Sequence, residues 1–188
     1  MSAKYSPLSA ASFRETELGT LLERGIIWTT PMLDNLELSR RTHEVWLVTP
    51  DLEPDCSDER VGSMVKQNLR RGVRYIYFYP QDLDGLKVQT QRLYANLGVT
   101  RAPKRLEARV ALVPISPAEY PTLFHRGNTI LFFKGESASF PPNVFEEVVF
   151  TRVSRRGLFW QECDRSAAGD VHRILANELH KWMSKPSL

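Results

Sequence analysis

The chain has 188 residues, 42% hydrophobic and 25% charged, which is the balance of one folded globular unit with a sizeable core and excludes a disordered chain. No apolar run approaches the roughly 20 residues of a membrane-crossing helix, Met1 to Ser12 lacks the basic-then-apolar layout of a leader, and the two cysteines, Cys56 and Cys163, have neither a CxxC partner nor a nearby histidine, which speaks against a disulfide scaffold and a zinc site. The formal net charge of +3 is unevenly placed: residues 1–59 hold 5 basic and 11 acidic side chains, residues 60–135 hold 13 and 4, and residues 136–188 hold 7 of each.

In chain order, Ser12 to Arg24 is predicted as a helix, since Ser12 and Glu15 have capping-box spacing and Gly25 stops the run. A short extended piece is expected over Ile26 to Thr30 and a second helix over Leu33 to Thr42. Glu44 to Thr49 is a strand with a near-continuous apolar run, as in a sheet covered on both faces. A polar turn, residues 50–55, leads to a helix capped by Ser57 or Asp58 and running to Arg71, with Gly72 at its C′ position. Val73 to Tyr79 is the next strand. Strand, helix and strand within about 36 residues make a βαβ unit with parallel strands and a right-handed crossover.

Leu86 to Leu97 reads as a helix ended by Gly98, Leu106 to Ile115 as a strand, and Ser116 to Leu123 as a turn or short helix. Thr129 to Lys134, Glu147 to Val153 and Gly157 to Glu162 are three further strands, the last antiparallel after a turn at Arg155-Arg156-Gly157. A helix from Ser166 or Ala167 to about Met183 carries a continuous apolar face of Val171, Ile174, Leu175, Leu179, Trp182 and Met183. The expected fold class is α/β: a mainly parallel or mixed central sheet with helices on both faces. Residues 1–43 are a helical extension packed on a domain formed by 44–188.

Two segments carry a resemblance. Val45-Trp46-Leu47-Val48-Thr49-Pro50 followed by an acidic turn, and Leu69-Arg70-Arg71-Gly72-Val73-Arg74-Tyr75-Ile76-Tyr77-Phe78-Tyr79-Pro80, together resemble the opening βαβ of the phospholipase D-like superfamily. The resemblance implies a chain equal to one half of that family's paired site, hence a homodimer. The family's HxK motif supplies a histidine that attacks phosphorus or protonates the leaving oxygen, and a lysine that holds phosphate oxygens. Here the matching position is His125-Arg126-Gly127, so the histidine is present and glycine replaces the lysine. Asn143 and Glu146 stand where remnants of the later motif would fall. The resemblance therefore implies a non-catalytic or weakened module, with His125 as its catalytic remnant.

The ligand expected for such a module bears phosphate: a nucleotide or a nucleic acid, held by Arg126, Arg70, Arg71, Arg105 and Arg109. Two alternatives stand beside it, a homodimeric metal-independent phosphodiesterase or nuclease using His125, and a protein-interaction scaffold without a ligand. No cofactor, metal or membrane partner is expected, and the setting is a bacterial cytoplasm. The acidic turn Asp51, Glu53, Asp55, Asp58 and Glu59 reads as a solvated, helix-capping loop more readily than as a Mg²⁺ site. Tyr75, Tyr77 and Tyr79 read as core more readily than as a base-stacking platform. His172 and His180 read as surface residues. The basic and acidic segments either meet in the fold and cancel or form separate patches.

Overall fold

The computed structural model describes residues 27–98, 109–121, 123–124, 129–136, 145–152, 159–163 and 165–185. The predicted helix over residues 12–24 lies outside them. In chain order the elements are β1 (Ile27–Thr29), α1 (Thr30–Glu37), β2 (Thr42–Val48), α2 (Glu53–Ser57), α3 (Glu59–Arg71), β3 (Arg74–Pro80), α4 (Leu86–Leu97), β4 (Val110–Ile115), β5 (Ile130–Glu136), β6 (Phe145–Arg152), β7 (Phe159–Cys163) and α5 (Arg165–Ser184).

The fold is α/β, built on one mixed sheet of seven strands in the order β1-β7-β6-β5-β2-β3-β4. Strands β2, β3 and β4 run parallel, in the register Val45↔Tyr75 and Tyr75↔Val110. The pairings of β2 with β5, β5 with β6, β6 with β7 and β7 with β1 are antiparallel. Antiparallel pairings thus extend the sheet beyond its parallel trio, and β1 closes the far edge, so residues before 44 contribute to the sheet itself.

Alternation along β2 and β3 sorts the core into two layers. Trp46, Val48, Ile76 and Phe78, with Phe132 of β5, pack on one face against Val171 and Leu175 of α5. Val45, Tyr75 and Tyr77, with Phe133 and Trp160, pack on the other against Leu33 of α1, Val65 of α3 and Leu93 and Leu97 of α4. Strands buried on both faces explain the unbroken apolar runs in the sequence.

The crossover helix α3 is delimited by its caps. The Asp58 carboxylate accepts from the backbone N–H groups of Arg60 and Val61, and Gly72 ends the helix in the left-handed region at φ 96°. The helix predicted over Leu33 to Thr42 instead spans Thr30–Glu37. Its last carbonyls turn into β2, where Thr42 Oγ1 donates to Leu36 O at 2.8 Å and Thr42 N to Ser39 O at 3.2 Å. At the same turn a Cβ on Gly135 of β5 would stand 2.2 Å from Arg41 O, so only glycine admits the loop. Pro50 to Asp55, expected as a plain turn, includes the short helix α2.

Candidate functional site

Two regions of opposite charge lie toward opposite ends of the parallel strands. The first is at their amino ends. Arg40 and Arg41 sit in the α1–β2 loop, Arg70 and Arg71 at the end of α3, Arg74 at the start of β3 and Arg109 just before β4; all six are exposed. Specific bonds hold Arg71 and Arg109 there. Arg71 donates from Nη1 to Leu38 O at 2.6 Å and also bonds the Asn68 carboxamide, while Arg109 Nη1 donates to Leu69 O at 2.6 Å. Each bond occupies part of a five-donor guanidinium, leaving further N–H groups to face solvent.

Among the described side chains an acidic counterweight at this end is Glu44, partly buried on β2. It pairs with Arg74 at 3.1 Å and with Lys134 at 3.8 Å, and accepts from Trp46 Nε1 at 2.7 Å. Lys134 also lies 3.3 Å from the Trp46 ring centroid and 2.9 Å from His172 Nε2. His172, expected at the surface, is therefore half-buried, its ring 5.0 Å from that of Trp46. His180 is exposed as expected.

The second region is a cavity of about 410 Å³ between the sheet, α1 and the start of α3. Val45, Leu47, Tyr75, Tyr77, Leu131 and Trp160 form its sheet side, and Asp34, Glu37, Asp51, Asp55, Asp58 and Arg60 stand around it. Arg60 is paired with Asp34. The segment carrying Asp55 is pinned to α4: Leu52 N donates to Gln89 Oε1 at 2.9 Å, Cys56 Sγ to Gln89 O at 3.1 Å, and Asn96 Nδ2 to Asp55 O at 2.7 Å.

Burial dominates the electrostatics of this cavity. Glu37, 8% exposed, is pushed up to about 8 by desolvation, against the lowering effect of its hydrogen bond with Tyr75. That bond runs from Tyr75 Oη to Glu37 Oε1 at 2.5 Å, and Asn68 Nδ2 donates to both Tyr75 Oη at 2.7 Å and Glu37 O at 3.0 Å. Asp55 is pushed up to about 6, again chiefly by burial, with the Tyr77 hydroxyl opposing and the like charges of Asp58 and Asp51 adding. Tyr77, 1% exposed, has a hydroxyl that interacts with Asp55 without closing to a hydrogen bond with any described group. Among the described residues no group of histidine, cysteine and carboxylate side chains has the arrangement of a metal site.

Of the residues singled out in the sequence, Arg70, Arg71 and Arg109 come together at the amino end of the parallel strands. His125, Arg126, Arg105 and Asn143 lie outside the described residues. Glu146 is on β6, with its backbone opposite Gly135. The cavity residues Glu37, Tyr75, Tyr77 and Trp160 were not brought together by sequence reasoning. The available signals were the tyrosine alternation on β3 and the acidic turn at the carboxyl end of β2, where open α/β sheets bind ligands.

No protein-family model matches this chain, and no curated protein matches it. Among solved structures, TrmBL2, described as an archaeal chromatin protein that shows a novel mode of DNA binding, aligns over 88% of this chain and 56% of its own length, with 14% identity and a TM-score of 0.31. This chain thus spans little more than half of that protein. A TM-score this low carries neither fold nor function from one chain to the other. No described helix is long and apolar enough to cross a membrane.

Proposed function

We propose that this chain is a binding module for a phosphate-bearing polyanion, with nucleic acid as the ligand class, and that the arginine-rich end of the sheet is its contact surface. The observation that carries the reading is the convergence of Arg40, Arg41, Arg70, Arg71, Arg74 and Arg109 at the amino ends of β2, β3 and β4. These strands are spaced about 4.8 Å apart, so the charges spread across a surface instead of closing around one phosphate. A spread of exposed guanidinium groups suits a repeating backbone better than a mononucleotide, whose sites are concave. Arginine also offers paired N–H donors matched to phosphate oxygens.

Phospholipase D-like kinship and a homodimer belong to this proposal. The parallel β2–α3–β3 unit with its capped crossover helix supports the kinship.

The test is fluorescence anisotropy with labelled single- and double-stranded oligonucleotides between 50 and 300 mM salt. Engaging about four phosphates gives a slope of log K against log salt near −3 to −4. Arg70→Glu with Arg109→Glu weakens binding and makes the slope shallower. Absence of binding at the lowest salt, or affinity indifferent to salt and to both reversals, refutes the reading. Sizing by light scattering checks the dimer separately.

A further inference from the structure

From the cavity between the sheet, α1 and α3, we infer a second binding site, separate from the arginine surface, that accepts a small organic cation: an amine or guanidinium carried on a compact apolar body. Three observations on the page converge on it.

The space is of ligand size. A volume of about 410 Å³ falls within the range of small-molecule sites. It also reaches the carboxyl end of β2, through Thr49 and Asp51. Ligands of open α/β sheets bind at such points.

The chemistry of the walls selects a cation with a hydrocarbon body. Leu33, Val45, Leu47 and Leu131 supply apolar surface, and Tyr75, Tyr77 and Trp160 supply aromatic rings. A cation over an aromatic face gains from the ring quadrupole, most when desolvated. Carboxylates outnumber bases around the space, and Arg60 is already joined to Asp34. An anionic ligand would meet the carboxylate of Asp55, which has no basic side chain among its influences. Among the described residues no donor set has the arrangement of a metal site.

The third observation is a buried hydroxyl beside one of these acids. Tyr77 is 1% exposed, and its hydroxyl has no hydrogen-bond partner among the described residues although it lines this space. A buried hydroxyl left unpaired is costly. Beside it, Asp55 is shifted by burial, by the Tyr77 hydroxyl and by the like charges of Asp58 and Asp51, with no basic side chain among its influences. An ammonium between Asp55 and Tyr77 donates to both: it neutralises the carboxylate and satisfies the phenol oxygen.

The test uses three cationic probes (phenethylammonium, tyramine and agmatine) with 2-phenylethanol and 3-phenylpropionate as neutral and anionic counterparts. Binding is followed by ligand-observed NMR and calorimetry at pH 7.5. At least one cation binds, about ten- to a hundredfold more tightly than phenylethanol, and phenylpropionate does not bind. Asp55→Asn removes the preference for the amine over the alcohol, and Tyr77→Phe weakens binding of the cation. Asp55→Asn keeps the fold, because it removes a charge that burial opposes; an unchanged or raised melting temperature verifies this. Failure of all three cations with folded wild-type protein overturns the inference. So does equal binding of amine and alcohol, or a cation affinity indifferent to Asp55→Asn. None of these results depends on oligonucleotide binding.

Discussion

Glu37→Gln provides the sharpest test of how the cavity is built. Glu37 is buried at the end of α1, and its carboxyl is raised from 4.5 to about 8, mainly by desolvation. The unfolded chain releases this proton near 4.5, so between 4.5 and about 8 the folded protein holds more protons than the unfolded one. Stability therefore falls as pH rises through that window. At about 1.4 kcal/mol per unit, the whole window amounts to about 5 kcal/mol, a large part of a typical folding free energy of about 5–15 kcal/mol. Glutamine has the shape of the protonated acid, and its carbonyl oxygen can accept the Tyr75 hydroxyl in the same place. At pH 5 the variant matches wild type within about 1 kcal/mol, and by pH 9 it is more stable by up to about 5 kcal/mol. Urea denaturation at half-unit steps from pH 4.5 to 9 measures the difference. Asp55, raised from 3.8 to about 6, gives both proteins a common decline in the lower part of the range. A wild-type curve flat between pH 6.5 and 8.5, or a variant curve parallel to it, refutes the reasoning.

Three further outcomes are expected in urea or thermal unfolding. Asp58→Ala removes the carboxylate that accepts from Arg60 N and Val61 N, and costs about 1 kcal/mol. Gly135→Ala drives a methyl against the backbone oxygen of Arg41, which cannot swing aside as a side chain would, and destabilises by about 1–3 kcal/mol. Leu175→Ala opens a hole between α5 and the Trp46–Phe132 face of the sheet and costs about 2–5 kcal/mol.

Local signals account for most of what the sequence makes legible. Asp58 before α3, Gly72 after it and Gly98 after α4 mark boundaries whose chemistry is local, and those boundaries match the structure. The end of α1 does not, because Glu37 is anchored by Tyr75 and Asn68, partners 38 and 31 residues away. Pro31, in the first turn of α1, marks its start, since proline is tolerated there. The seat of β5 beside β2 is equally hidden: hydrophobic runs show that strands exist but not which edge a later strand joins. His172 was misjudged because helical spacing shows only its own helix, while Lys134 of β5 and Trp46 of β2 determine its burial. Arg70, Arg71, Arg74 and Arg109 were legible as part of a basic block, Arg40 and Arg41 were hidden in the acidic first segment, and the convergence of all six became visible only once strand order placed three strand starts side by side.

Charge blocks in a sequence can cancel on folding or be drawn apart, and here both happen: Asp34 pairs with Arg60 and Glu44 with Arg74 and Lys134, while the crossover helix holds the charges at its own two ends apart. Asp58 and Glu59 occupy the amino end of α3, and Arg70 and Arg71 its carboxyl end. Each sign thus meets the favourable pole of the helix dipole. At 1.5 Å per residue its 13 residues span about 20 Å, more than twice the screening length of about 8 Å at physiological salt. Asp58 and Glu59 at the amino end of α3 therefore do not neutralise the arginines at its carboxyl end, and a polyanion approaching the helix is drawn to one end and turned from the other. The two ends nevertheless share covalent and hydrogen-bonded structure. Arg71 bonds the Asn68 carboxamide, Asn68 donates to the Tyr75 hydroxyl, and Tyr75 donates to Glu37 in the cavity wall. Asn68 is fully buried and has no solvent to replace a lost partner.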